Sequence, residues 1–245
     1  MPFRTPDDRP LDELLLAQRP ADEHRFVLRA GFGYDDPVSG RRYGVEAGRV
    51  TDLASVPMWL WSFIASHGRQ SAPAVLHDDR SAVADRLDDR RAALMLRRED
   101  DRVFRTALRE QRVPLLRAWL MWAWVSSDRE REYGGAAGAV FMVQAIVGTL
   151  IVVGASVAAF WHPAWLVLVL LPGFAALPWG RLAPLMLLLN YPTALLAPLI
   201  VVHVASVVPF RLIEALVELV TGGDPAGVWR PTLRPSRKAS SRGIR

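Results

Sequence analysis

Residues 136–160 read AAGAVFMVQAIVGTLIVVGASVAAF, and these 25 residues include no charged side chain. An α-helix of that length extends about 37 Å at about 1.5 Å per residue, which exceeds the roughly 30 Å hydrocarbon core of a bilayer. No charged residue lies between Glu132 and Arg181. A soluble domain of this size cannot enclose so long an uncharged run. The sequence therefore predicts a membrane-spanning region and excludes a purely soluble globular protein.

Charge divides the 245 residues into two parts near Gly134 and Gly135. Residues 1–134 carry 22 Arg and 22 Asp or Glu, so their net charge is zero, and residues 135–245 carry the whole net charge of +5. The chain has no Cys, which excludes disulfide frameworks, thiolate metal sites and cysteine nucleophiles. We therefore predict a polar amino-terminal part joined to an apolar carboxy-terminal part.

The polar part begins with a leader over residues 1–24, which we expect to be partly disordered. It has no signal peptide, because its apolar stretch is short and is preceded by acidic residues. A short helix is predicted over Leu11–Gln18. Two strands follow at Phe26–Tyr34 and Tyr43–Thr51, joined by the turn-forming residues 35–40.

From Val56 onward the apolar spacing becomes helical. Ser55 is a capping residue for the first helix, Ser71 precedes a second, and Pro114 opens a further one after the apolar stripe that includes Val103 and Phe104. The predicted fold class is α+β: a small soluble domain over residues 25–134, with an amino-terminal β-hairpin or small sheet followed by helices, and then an α-helical transmembrane region.

The transmembrane region is predicted over residues 135–221. Its expected spans are residues 136–160, 164–180 and 182–210. Asn190-Tyr191-Pro192 interrupts the last span and is the predicted position of a bend. Three spans conflict with an expectation that both chain ends lie on the cytoplasmic side. Either residues 182–210 form a re-entrant or kinked hairpin, or one end of the chain lies outside the cytoplasm.

Residues 222–245 form a basic tail, predicted to be disordered, in which six Arg or Lys follow Asp224 without another acidic residue. The positive-inside rule places such a tail in the cytoplasm, and its expected contact is anionic membrane lipid. A nucleic-acid partner is not expected, because the tail lacks interleaved aromatic residues. The expected location is the cell inner membrane, with multiple passes and a cytoplasmic soluble domain.

Three short motifs occur in order in the polar part. They are VEAGRVTDLASVP at residues 45–57, AVLHD at residues 74–78 and REDDRVF at residues 98–104. This pattern resembles the family catalogued as domain of unknown function 1353, which is widespread in bacteria and in phage and prophage proteins. The resemblance covers residues 26–125 and implies a bacterial, prophage-like origin. Asp79-Arg80 replaces the family's aromatic-rich stretch, and Asp100 stands where the family favours Ala.

The same motifs hold the candidate site residues. Asp52, His77, Asp78 and Asp101 are a compact set of metal-competent side chains, and their N and O ligands suit a divalent Zn, Mn, Mg or Fe ion that activates water for hydrolysis. A second arrangement uses Ser55 as nucleophile, His77 as base and Asp52 or Asp101 as the orienting carboxylate. The candidate catalytic residues are therefore Asp52, Ser55, His77 and Asp78.

A purely structural interpretation competes with both chemical ones. Asp52 and Ser55 are good helix caps, and His77 can bond a carboxylate in the core. Arg98 and Asp101 are spaced to form an i,i+3 pair on a helix surface. Two functional hypotheses follow: a binding or scaffold domain held at the membrane, and a membrane-tethered metal-dependent hydrolase.

Overall fold

A computed structural model describes residues 2–18, 25–53 and 67–229. The predicted hairpin is present, formed by strand β4 (Phe32–Asp35) and strand β5 (Arg42–Val45), with Tyr34 opposite Tyr43. Asp36 shapes the turn between them, because its carboxylate accepts hydrogen bonds from the backbone N–H groups of Val38 at 3.2 Å and Ser39 at 3.1 Å.

Four more strands are present: β1 (Phe3–Arg4), β2 (Leu16–Gln18), β3 (Phe26–Leu28) and β6 (Val50–Thr51). Within the described part of the chain, the strands form two three-stranded antiparallel sheets, in the orders β1-β4-β5 and β2-β3-β6. Each of the two strands predicted from sequence is thus split in two, with one half in each sheet.

The helix predicted over Leu11–Gln18 is wrong, because Leu16–Gln18 forms β2 and pairs with β3. A helix shorter than about 12 residues is marginal in water, whereas pairing with β3 provides partners for the backbone groups. Leu16 lies opposite Leu28 and packs against the core of the sheets.

Three helices follow the sheets: α1 (Ser71–Ala84), α2 (Arg90–Glu110) and α3 (Leu115–Tyr133). The starts of α1 and α3 agree with the predicted signals at Ser71 and Pro114. The α2 helix is capped by Asp89, whose side chain accepts from the N–H of Arg91 at 2.8 Å. The helix predicted after Ser55 lies outside the described residues. The strands come first along the chain and the helices follow, which confirms the α+β class.

Three apolar clusters hold these elements together. The first joins the strands to α1 and α2, and the second joins α1 and α2 to α3 through Ala118 and Met121. The third joins α3, through Ala123, to Phe141 and Leu185 in the apolar carboxy-terminal part. Helix α3 therefore belongs to two cores.

The apolar part contains α4 (Gly135–Ala158), a return segment at residues 163–182, and α6 (Ala183–Thr221). The return segment combines two 3₁₀ helices, Pro163–Leu170 and Leu177–Leu182, with the short helix α5 (Leu171–Ala176). It reverses into α6 at Gly180, whose positive φ of 54° is a conformation that glycine adopts without steric cost. A last 3₁₀ turn is at Gly227–Trp229.

Side-chain contacts show the direction of each segment. Gln144 in α4 donates to the carbonyl of Ala175 at 2.6 Å and accepts from the Trp179 indole at 2.9 Å, so the end of the return segment lies beside the start of α4. The Thr149 hydroxyl donates to the carbonyl of Leu189 at 3.3 Å. The α4 helix and the first part of α6 consequently run in the same direction, and the return segment runs opposite to both.

The bend predicted at Asn190-Tyr191-Pro192 is wrong, because α6 continues as one helix from Ala183 to Thr221. Asn190 is fully buried against Gly148, and the Tyr191 hydroxyl donates to the carbonyl of Val169 at 2.9 Å. This packing on neighbouring segments supports the helix across Pro192.

Among the described residues, two helical stretches are by length and composition apolar enough to cross a membrane: Gly135–Ala158, and the merged stretch Pro163–Thr221. Large hydrophobic side chains are exposed along both, among them Val143 and Ile146 in α4 and Leu195 and Val202 in α6. The first stretch agrees closely with the predicted span at residues 136–160.

Candidate functional site

A buried polar network lies where α1, α2 and α3 meet. His77 of α1 and Asp101 of α2 share a hydrogen bond of 2.9 Å between Nε2 and Oδ1. The other oxygen of Asp101 accepts from the Ser126 hydroxyl at 3.1 Å and from the Arg129 guanidinium, both in α3. Asp101 is 0% exposed, Arg129 3% and His77 7%. Both carboxylate oxygens of Asp101 are therefore occupied inside the protein.

Glu130 extends this network toward the surface. Its Oε1 accepts from Nε and Nη2 of Arg129 at 3.0 and 2.9 Å, and from Nη2 of Arg98 at 3.4 Å. The surface pair predicted between Arg98 and Asp101 is thus not formed, because Asp101 faces the core and Arg98 reaches α3. Charge-assisted hydrogen bonds of this kind are roughly twice as strong as neutral ones, so the network fastens α3 to α1 and α2.

Ser126 and Arg129 lie outside the three sequence motifs and were not predicted as site residues. A signal for them exists, since Ala118, Met121, Val125 and Arg129 follow one another at spacings of three and four residues. Residues so spaced share one helix face, and Ala118 and Met121 lie in the second core. An arginine that continues an apolar stripe indicates a buried cation with a buried partner.

A second polar group lies at the junction of β6 and α1. The Thr51 hydroxyl donates to Oδ2 of Asp78 at 2.5 Å and accepts from the backbone N–H of Leu53 at 2.9 Å. Leu53 adopts a φ of +61°, which is strained for a residue with a side chain. Burial raises the pKa of Asp78 well above its usual range, and the negative charge of Asp52 raises it further.

Two ion pairs flank this junction. Asp79 lies 2.7 Å from Nε of Arg49, and burial raises the pKa of Asp79 although Arg49 opposes the increase. Arg80 donates to Asp100 at 2.5 Å, while its guanidinium stacks 4.1 Å from the centroid of the Tyr43 ring. The Asp79-Arg80 pair that departs from the family pattern thus binds α1 to the sheet and to α2.

The structure divides the predicted site residues between two places. His77 and Asp101 meet in the core, which confirms the alternative that His77 bonds a core carboxylate. Asp52 and Asp78 lie near each other at the β6–α1 junction. Ser55 lies outside the described residues, so its proposed role as a nucleophile stays a prediction.

The four residues are not assembled as a metal-binding set. Within residues 2–18, 25–53 and 67–229, no group of three or more His, Asp or Glu side chains is arranged to hold a metal ion. His77 and Asp78 are neighbours within α1, so their side chains project in different directions and have different partners.

Comparison with known protein families finds a match in the α+β part of the chain. Residues 26–125 match the family described as "Protein of unknown function (DUF1353)". No curated protein and no solved structure matches the chain. The match includes Asp52, His77, Asp78 and Asp101, and it ends within α3 before Arg129 and before the apolar helices.

Proposed function

We propose that this chain, whose residues 26–125 form a DUF1353 domain, is an integral membrane protein in which that domain serves as a binding or scaffold module. The observation that carries the proposal is the broad apolar surface of α4 and α6. Ile146, at the middle of α4, is 58% exposed, and Leu195 in α6 is 77% exposed. Soluble proteins rarely expose contiguous apolar patches of more than a few hundred Å², so a bilayer is the natural environment for these helices.

The buried network supports a scaffold role for the domain. His77 and Asp101 are enclosed by three helices and hydrogen-bonded to one another, to Ser126 and to Arg129. Groups that are buried and hydrogen-bonded in this way stabilise the packing of the three helices. We further propose a bacterial, prophage-like origin and an inner-membrane location with the domain in the cytoplasm.

A pair of matched arginine substitutions tests the membrane proposal. Ile146→Arg places a charge at the middle of α4, where insertion into a bilayer costs about 2.5–3.5 kcal/mol. Val38→Arg places the same charge in the hairpin turn, at a side chain that is 66% exposed. We expect Ile146→Arg to lower the amount of full-length protein recovered in the membrane fraction and Val38→Arg to leave it unchanged. Equal recovery of the two variants from the soluble fraction would contradict the proposal.

A second candidate function is a membrane-tethered hydrolase, favoured by the raised pKa of Asp78 beside Asp52. A carboxyl group with a raised pKa can act as a general acid. Asp78→Asn would then abolish hydrolysis of chromogenic esters and phosphodiesters by the detergent-purified chain. Asp88→Asn, on an exposed residue, is the control. Wild-type protein without hydrolytic activity, with or without added Mn²⁺ or Zn²⁺, contradicts this candidate.

A further inference from the structure

An apolar groove of about 420 Å³ opens where the α+β domain meets the apolar helices. Its walls come from the start of α3 and the start of α6: Leu115, Leu116, Trp119, Pro184, Leu187 and Leu188. Leu115 and Leu116 are 57% and 62% exposed, although both lie in a helix of the polar part. Leu187 of α6 also lines the groove and is 37% exposed, so the groove is continuous with the exposed apolar surface of α6.

A cation is positioned at one side of the groove. The guanidinium carbon of Arg105 in α2 lies 4.3 Å from the ring centroid of Trp119 and 5.1 Å from that of Trp122. Trp119 itself lines the groove. Burial lowers the pKa of Arg105, and the nearby charge of Arg102 lowers it further, so an added anion would stabilise the guanidinium.

Three further arginines lie near Arg105 in the sequence. Over residues 2–18, 25–53 and 67–229, four arginines at the end of α2 and the start of α3 form no ion pair with Asp or Glu: Arg105, Arg109, Arg112 and Arg117. Arg109 instead donates to the carbonyl of Val113 at 2.6 Å. The single acidic residue between Arg105 and Arg117 is Glu110, which accepts a hydrogen bond from Tyr34 at 2.6 Å.

We propose that this junction binds an anionic phospholipid, with the phosphate at Arg105 and its neighbouring arginines and an acyl chain in the groove. The proposal rests on the membrane function proposed above. The positive charge favours an anionic headgroup. The apolar lining of the groove, which is continuous with α6, favours the acyl chain. Stacked tryptophan and arginine side chains are typical of the membrane–water interface, where one end of the ligand is polar and the other apolar. This site is separate from the basic tail.

Native mass spectrometry of the full chain, purified in detergent, tests the site. The protein is mixed with phosphatidylglycerol or phosphatidylcholine of identical acyl chains, and the bound fraction of each lipid is measured. We expect wild-type protein to retain one phosphatidylglycerol in preference to phosphatidylcholine. Arg105→Gln should weaken that preference about tenfold, as expected for the loss of a charge-assisted contact.

Two further variants make the result specific. Leu116→Glu introduces a negative charge at an exposed position of the groove, where folding tolerates it, and should weaken phosphatidylglycerol binding to a similar extent. Arg91→Gln makes the same change of charge as Arg105→Gln at the exposed opposite end of α2, and should leave lipid preference unchanged. Every variant retains the basic tail, so binding there does not affect the comparison.

The possible failures are distinguishable. If Arg105→Gln and Leu116→Glu keep the wild-type preference, the phospholipid site is refuted while the membrane function stands. If the wild-type chain shows no lipid preference but forms a dimer that Leu116→Glu dissociates, the groove binds a second copy of the chain. That result also refutes the phospholipid site. If the chain stays soluble and monomeric without detergent, the membrane function itself is refuted.

Discussion

Arg129 in α3 donates a hydrogen bond to Oδ2 of Asp101 in α2, and both side chains are almost completely buried. Asp101 lies within the region that matches the DUF1353 family, whereas Arg129 lies beyond it, six residues before α4 begins. The contact thus fastens the domain to the helix that leads into the apolar part. Removing this contact is expected to weaken the packing of the domain and of the helix that leads into the apolar part.

The first prediction concerns this contact. Asp101→Asn should lower the free energy of unfolding by about 3 kcal/mol, because it leaves the charge of Arg129 buried with Glu130 as its remaining carboxylate partner. The measurement is the unfolding transition of the full chain in detergent. Asp88→Asn, which changes an exposed carboxylate, should alter stability by no more than about 0.5 kcal/mol. Equal effects of the two substitutions would show that Asp101 does not stabilise the fold.

The second prediction is a pH dependence set by Asp78. Its pKa is higher in the folded chain than in the unfolded chain, so the folded state binds more protons once the pH exceeds about 4. The stability that this group contributes is present at low pH and is lost as the pH rises through the folded pKa. Asp78→Asn removes that loss. The melting temperature of the variant relative to wild type should therefore rise between pH 4 and pH 8, and a constant difference would refute the assignment.

The third prediction uses the two tyrosines that face each other in the hairpin. The Tyr34 hydroxyl donates to Oε2 of Glu110 at 2.6 Å, whereas the buried Tyr43 hydroxyl has no hydrogen-bond partner among the described residues. Tyr34→Phe should cost about 0.5–1.5 kcal/mol of stability. Tyr43→Phe should be neutral or stabilising, because it removes an unsatisfied polar atom. Thermal unfolding of both variants gives the comparison, and the reverse order would contradict it.

The fourth prediction concerns the contact between α4 and α6. A Cβ atom at Gly148 would lie 2.7–2.9 Å from the side-chain amide of Asn190, whereas a Cβ at Gly154 would meet nothing within 4 Å. Gly148→Ala should therefore destabilise the full chain, while Gly154→Ala should be neutral or stabilising, since alanine favours a helix. The readout is the melting temperature in detergent.

A compensating substitution makes this test specific. Asn190→Ala removes the amide that the new Cβ would contact, so the double variant Gly148→Ala, Asn190→Ala should recover stability relative to Gly148→Ala alone. Additive effects of the two substitutions would show that the helices are not in contact at this position.

Local signals in the sequence predicted the helices well. Ser71 and Pro114 sit where α1 and α3 begin, and the uncharged run that starts at Ala136 corresponds to α4. In each case the information is contained within a few neighbouring residues, as capping or as hydrophobic spacing. The hairpin between β4 and β5 is similarly local, because its turn is shaped by Asp36.

Features that depend on distant residues could not be predicted in the same way. Leu16–Gln18 is a strand because its backbone pairs with β3. The α6 helix continues through Pro192 because Asn190 packs against α4. Likewise, the sequence allowed His77 to bond a core carboxylate, but the motifs do not reach Ser126 and Arg129 in α3, which complete the network. Sequence spacing limits which residues share a face, and tertiary packing decides what covers that face.

Helix α3 contributes Ala118 and Met121 to one core and Ala123 to another. If one of those cores unfolds, α3 loses its support, and the other core loses the helix against which it packs. The polar and apolar parts of the molecule should therefore unfold in a single cooperative transition. Mechanical or chemical stress on the apolar bundle would be transmitted through the same helix. Unfolding of the apolar helices would then change the environment of the His77 imidazole, although His77 lies in α1.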